Sequence, residues 1–134
     1  MGPVLKQAPL SLGTEQLAMY EISALDYLDY LDYLDANPLP PQPEVGDPAA
    51  LRKWLRDTRR VDLLQISRLV ALALYRGLNV QPDAVQDMIQ QDWPLALTQA
   101  AYLEVMKFVG LASDKPTEPT QPGDNPPEPL TPKS

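Results

Sequence analysis

The chain has 134 residues, 44% of them hydrophobic, and turns rich in proline at its end, so it has room for one core of roughly 100 to 110 residues. It contains neither cysteine nor histidine, which excludes a disulfide framework and removes the usual ligands of zinc or haem. Its formal charge of −7 opposes binding to phosphate backbones, where affinity comes largely from Lys and Arg releasing counterions, so nucleic acid is not an expected partner.

Met1 to Leu12 lacks a charged stretch followed by an apolar run, so no secretory signal is read there and the protein is expected to stay where it is made. Residues 3–22 carry weak alternation, with Val4, Leu10 and Leu12 before Gly13 and Leu17 and Met19 after it, which predicts a short N-terminal β-hairpin. Ser23 with Asp26 three residues on resembles a capping box, so the first helix starts there and runs to about Ala36. Pro38, Pro40, Pro41 and Pro43, with Gly46, make the segment 37–47 an extended linker that no helix can cross.

Asp47 and Pro48 restart the helix as cap and first-turn proline. From there to Gly77 the pattern allows one long helix or two meeting near Asp57 and Thr58; the break is favoured, with Thr58 as the second cap. The most apolar window, Val61 to Leu78, is interrupted by Asp62, Gln65, Arg68 and Arg76. The run left, Leu69 to Tyr75, is far short of the about 20 residues a membrane span needs, so it reads as a buried core helix. Pro82 opens another helix ending near Asp92, and Trp93–Pro94 turns into a last one that stops at Gly110. The fold class is therefore mainly α, a compact bundle of four or five helices in a domain spanning 1–112. Residues 113–134, with prolines throughout and Leu130 as their single large aliphatic, are read as a disordered acidic tail.

No activated nucleophile stands beside a base, and there is no glycine-rich phosphate loop and no metal loop of alternating Asp/Asn and Gly. The chain therefore reads as an interaction protein, not an enzyme, and calls for no cofactor.

The most unusual feature is the triplet Leu-Asp-Tyr repeated from Leu25 to Asp35. At about 100° per residue, leucines every third position drift about 60° backward each time, so Leu25, Leu28, Leu31 and Leu34 spread over half the helix. Tyr27, Tyr30 and Tyr33 fill much of the rest. Such a helix wants burial on more than one side: either one face enters the core with the tyrosines half exposed, or a second face meets another subunit or an extended partner. Charge is segregated too. Residues 1–47 carry eight acids and one base, 48–80 seven bases and two acids, and 81–134 eight acids and three bases. Asp26, Asp29, Asp32 and Asp35 repel one another, and the later ones sit at the wrong end of the helix dipole. Arg52, Lys53, Arg56, Arg59 and Arg60 are the candidates to offset them, folded back within one subunit or reaching into the next, the latter a head-to-tail contact. The residues singled out for association are thus Leu25, Leu28, Leu31, Tyr27, Tyr30, Asp29 and Asp32 with Arg52, Arg56, Arg59 and Arg60.

Glu21-Ile-Ser-Ala-Leu25, continued by Leu28 and Leu31, resembles the entry helix of the lambda minor tail protein G family, the tail assembly chaperones of long-tailed phages. Leu69, Val70, Ala71, Leu72, Leu74 and Tyr75 are similar to that family's central helix. Trp93–Pro94 with Ala101, Val105, Lys107 and Gly110 resembles its final helix, and a proline-rich acidic tail follows in both. The Leu-Asp-Tyr triplets and the proline linker depart from the family pattern.

The resemblance implies a chaperone that self-associates, binds the tape measure protein in the host cytoplasm and is absent from the finished virion. It also implies a longer form, extended by a ribosomal frameshift, that recruits tail tube protein. Pro132-Lys133, encoded as CCA AAG or CCA AAA after a Thr131 codon ending in C, would supply a slippery heptamer for that shift. The alternative class is a small helical structural or adaptor protein of the virion, such as a head-tail connector subunit.

Overall fold

A computed structural model describes residues 4–111 of the chain. The tail expected at 113–134, with Pro132 and Lys133, lies outside the described residues. The elements in chain order are β1 (Gln7–Leu12), β2 (Glu15–Tyr20), α1 (Ala24–Ala36), α2 (Pro48–Leu78), α3 (Pro82–Asp92) and α4 (Leu95–Phe108).

The two strands form an antiparallel hairpin in which Leu12 faces Glu15 across Gly13-Thr14. Gly13 takes φ +67, the conformation a tight hairpin turn asks of its first central residue. Hydrogen-bonded pairs alternate from that closing pair, so Pro9, opposite Ala18, falls on a non-bonded site where its missing N–H is not needed. One face of the hairpin carries Ala8, Leu10, Leu17 and Met19 inward, with Leu10 and Met19 fully buried.

Each helix start has a local cause. The Ser23 hydroxyl accepts from the Asp26 N–H at 3.1 Å. Asp47 accepts from the N–H groups of Ala49 and Ala50, with Pro48 in the first turn. Trp93, preceding Pro94, is held extended as a pre-proline residue must be, which separates α3 from α4. α4 ends in a Schellman motif: Gly110 at φ +79, its N–H on the Lys107 carbonyl, and the Leu111 N–H on the Met106 carbonyl.

α2 is a single helix of 31 residues, roughly 46 Å long, and this corrects the favoured break at Asp57–Thr58. Neither residue leaves the helix, because Asp57 bonds Lys53 one turn back at 2.7 Å and meets Arg60 at 3.6 Å one turn on. No Pro or Gly there interrupts the ladder. Gly77, expected as the stop, lies inside the last turn, and Asn79 in the left-handed region ends the helix instead. Glycine is needed at 77 for another reason. A Cβ there would stand 2.8 Å from the Ala18 carbonyl oxygen and 3.1 Å from the Ala18 Cβ, so its absence lets β2 lie directly on α2.

The carboxy-terminal half of α2 is the centre of the molecule. Ser67 to Leu74 are buried on every side, which is why this stretch is apolar nearly all round. Leu10 and Met19 of the hairpin, Tyr30 of α1, Val85 and Ile89 of α3, and Ala101 and Val105 of α4 complete the core. The amino-terminal half, residues 48–62, projects from this core. The linker returns along it, with the Gln65 amide donating to the Asn37 carbonyl and the Trp54 indole to the Pro40 carbonyl, both at 2.9 Å.

Candidate functional site

The triplet repeat offers the core three chemically different faces of α1, and the body of the protein selects among them. Asp26, Asp29, Tyr30, Tyr33 and Leu34 turn inward. The reason is two arginines in the apolar stretch of α2. Arg68, whose side chain is almost wholly buried, donates from Nε and Nη2 to the two carboxylate oxygens of Asp29 at 2.9 and 2.8 Å. Its Nη1 donates to Asp83 of α3 at 2.6 Å and to the Gln86 amide oxygen at 3.2 Å, and its guanidinium lies 5.3 Å from the Tyr33 ring centre. Two turns further on, Arg76 meets Asp26 at 3.0 Å, and the same carboxylate accepts from the Tyr75 hydroxyl at 2.9 Å.

Gln86 extends the network, donating to the Tyr33 hydroxyl, the Leu64 carbonyl and the Ser67 hydroxyl. Polar groups taken from water in this way must be fully partnered, and these are. Burial works against the charge of Arg68, but its bonds to Asp29 and Asp83 outweigh that and leave its pKa above the ordinary value. Burial, and then the bond to Asp26, likewise push the Tyr75 phenol up.

With Asp26, Asp29, Tyr30 and Tyr33 committed inward, three of the four leucines turn out. Leu25, Leu28 and Leu31 are 77%, 54% and 37% exposed, and Tyr27, Asp32 and Asp35 lie on the solvent side with them. Of the residues singled out on α1, then, Leu25, Leu28, Leu31, Tyr27 and Asp32 are at the surface, Asp29 is held by Arg68, and Tyr30 is inside. Burial first, and then the neighbouring Tyr102 phenol, push the pKa of Tyr30 up to about 12.

The basic segment does not fold back onto α1. Arg52, Arg56, Arg59 and Arg60 lie on the projecting half of α2, and the partners of the triplet carboxylates are Arg68 and Arg76. Lys53 and Arg60 are engaged with Asp57, whose carboxyl the Lys53 bond holds below its usual pKa. Arg52, Arg56 and Arg59 are exposed and make no ion pair among the described residues. At spacings of four and three they share one side of the helix with Leu55. Beside them runs an open groove of about 330 Å³ between α2 and the start of α4, lined by Leu55, Leu63, Ile66 and Leu95 together with Arg59 and Asp62. Thr58 also lines it, and its hydroxyl oxygen is buried without a hydrogen-bond partner among the described residues.

Sequence reading missed both the inner network and the groove. Arg68 and Arg76 were visible as interruptions of an apolar run, and a buried arginine demands carboxylates, of which the unpaired triplet set was the obvious supply. The groove had no such signal, because Leu95 and Leu55 come to line one cleft only through tertiary packing. Among the described residues no helix is long and apolar enough to cross a membrane, and no group of acidic side chains is placed to hold a metal ion.

Neither curated proteins nor solved structures gave a match to the chain. The model of the family described as bacteriophage lambda tail assembly chaperone, TAC, protein G, however, matches residues 4–127. The match takes in every element described above, the hairpin and the triplet helix included. The chain therefore belongs to the lambda protein G family of phage tail assembly chaperones, non-enzymatic proteins that act in building the tail.

Proposed function

We propose that this protein self-associates and, in that state, holds the tape measure protein soluble in the host cytoplasm while the tail is built, leaving before the virion is complete. The observation that carries this reading is the outward row Leu25, Leu28 and Leu31 on a helix that turns Asp26 and Asp29 inward to the arginines of α2. A soluble chain that keeps three leucines in a row at its surface has a use for them in contact with another molecule. The acidic surface supports the same role, since a coat of negatively charged subunits adds repulsion between clients that would otherwise aggregate.

A longer form made by frameshifting at codons 131–133 would carry a second domain that recruits tail tube protein, with the proline-rich segment as an extended tether. The gene's nucleotides test this: the heptamer must be present and the minus-one frame open beyond it.

Co-expression with the tape measure protein of the same phage tests the central claim. The tape measure protein should be soluble and co-purify with the wild-type chain, and should pellet when Leu25, Leu28 and Leu31 are all changed to Ser. Sedimentation velocity of the chain alone should show mass rising with concentration and falling with salt, because exposed charge pairs are weak and screened. Detection of the chain in purified virions would favour the structural adaptor role instead.

A further inference from the structure

Two surfaces that the fold leaves open match one another. One is the outward face of α1, with Leu25, Leu28 and Leu31 at spacings of three and the carboxylates of Asp32 and Asp35 among them. The other is the groove of Leu55, Leu63 and Ile66 on α2 and Leu95 on α4, continued along α2 by Arg59, Arg56 and Arg52. We infer that this groove receives the outward face of α1 from a second copy of the chain, so that copies join head to tail. The inference rests on the self-association proposed above and names the place where it occurs.

The shape argues for a helix. At about 330 Å³ the cleft is at the small end of ligand-sized volumes, and Leu55, Leu63, Ile66 and Leu95 give it an apolar floor with Thr58, Arg59, Asp62, Thr98 and Gln99 around them, which suits one face of an amphipathic helix. The charge argues for α1 in particular. Arg59 lines the groove and Arg56 and Arg52 follow on the same side of α2, all three without ion pairs among the described residues, against one carboxylate, Asp62, in the lining, so the fitting occupant is apolar and acidic. The outward face of α1 has that composition, and neither Asp32 nor Asp35 has an ion-pair partner among the described residues.

Topology excludes the contact within one chain. Arg68, which holds Asp29, follows Ile66 by two residues, or about 200° of turn, and so stands on the opposite side of α2 from the groove, with the leucines of α1 facing away. A symmetric contact of α1 with α1 would join two stripes that each carry Asp32 and Asp35 and no base, which like-charge repulsion opposes. Donor and acceptor are therefore different surfaces. The contact is heterologous, and each added copy uses one of its two surfaces and leaves the other open for the next, the condition for a ring or an open spiral.

Two surface variants of the full chain test this, Leu28→Arg on the stripe and Leu55→Glu in the groove. Both positions are exposed, so circular dichroism should show both variants folded. In sedimentation at low salt the wild type should build species larger than two chains, and each variant alone should run as a monomer. Mixed at equal concentration, the intact stripe of Leu55→Glu meets the intact groove of Leu28→Arg, and the mixture should reach the mass of two chains and stop. The chain has no cysteine of its own, so Leu28→Cys mixed with Leu95→Cys should also give a disulfide between copies under mild oxidation.

A wild type that stays monomeric removes the underlying reading of self-association. A wild type that assembles while Leu55→Glu assembles equally well overturns the groove assignment alone, as does a mixture that never pairs. If assembly survives Leu28→Arg but is lost on neutralising Asp114, Glu118, Asp124 and Glu128, the groove takes the acidic tail of a neighbour and the assignment to α1 is wrong.

Discussion

Removing Asp29 should loosen α1 from the rest of the molecule, because the carboxylate is one of two that neutralise the buried Arg68. The Arg68 side chain is 10% exposed, that of Asp29 41%, and that of Asp83 87%. Asp29→Ala leaves Nε and Nη2 of Arg68 without the acceptors they have now, in a place where little water can reach them. Losing one partner of a buried pair costs about 3–5 kcal/mol. Two effects reduce that here: Asp29 is partly solvated, and alanine is the better helix former by about 0.6 kcal/mol. A net loss of about 2 kcal/mol is therefore expected.

Arg68→Met should lose less, about 1–2 kcal/mol, since its removal leaves no buried charge and both carboxylates can turn to water. Asp83→Asn should lose under about 1 kcal/mol, because the Asp83 side chain is 87% exposed and its charge is screened by water. The assay is urea unfolding followed by far-ultraviolet circular dichroism, with Asp29→Ala, Arg68→Met and the double variant forming a cycle. The coupling between positions 29 and 68 should be about 1–2 kcal/mol. If it is below about 0.5 kcal/mol, or if Asp83→Asn is as harmful as Asp29→Ala, the two arginine-held carboxylates are not what orients α1.

Gly77→Ala improves helix propensity by about 1 kcal/mol but places a methyl 2.8 Å from the backbone oxygen of Ala18, which cannot swing aside as a side chain could. A net loss of about 1–2 kcal/mol in urea unfolding is expected, and a gain would mean that β2 does not lie on α2 as described. Thr58→Val removes a buried hydroxyl without a partner among the described residues and should stabilise the protein by about 1 kcal/mol; a loss in thermal unfolding would mean the hydroxyl is satisfied. Tyr30, raised from 10.0 to about 12 in the folded state, favours the neutral phenol, so its contribution is whole below pH 10 and is lost as pH rises from 10 to 12. Urea midpoints at pH 9 and 11 should therefore fall less in Tyr30→Phe than in wild type, and an equal fall would place the ring in water.

Much of the fold was legible because helix ends are made by neighbours in sequence. Ser23, Asp47–Pro48, Pro82, Trp93–Pro94 and Gly110 each act within a turn of their own position, and each stands where its chemistry required. Gly13 between alternating residues marked the hairpin for the same reason. Thr58 misled for want of a competing local signal: a threonine can cap a helix, but here Lys53, Asp57 and Arg60 support one another along an unbroken ladder.

The amino-acid sequence by itself determined the class of protein, the order of its elements and its family, all of which rest on residue types, local spacing and pattern. It also determined that a row of leucines, a row of carboxylates and a row of tyrosines would wind around one helix. Which side of that helix faces the interior was decided only by tertiary structure. A three-residue repeat on a helix of 3.6 residues per turn has no single apolar side, so local pattern leaves the rotation of α1 open. Arg68 and Arg76, about forty to fifty residues away in sequence, settle it, because a guanidinium inside an apolar helix bundle must be met by carboxylates. Once Asp26 and Asp29 are drawn in, geometry alone turns Leu25, Leu28 and Leu31 to the surface.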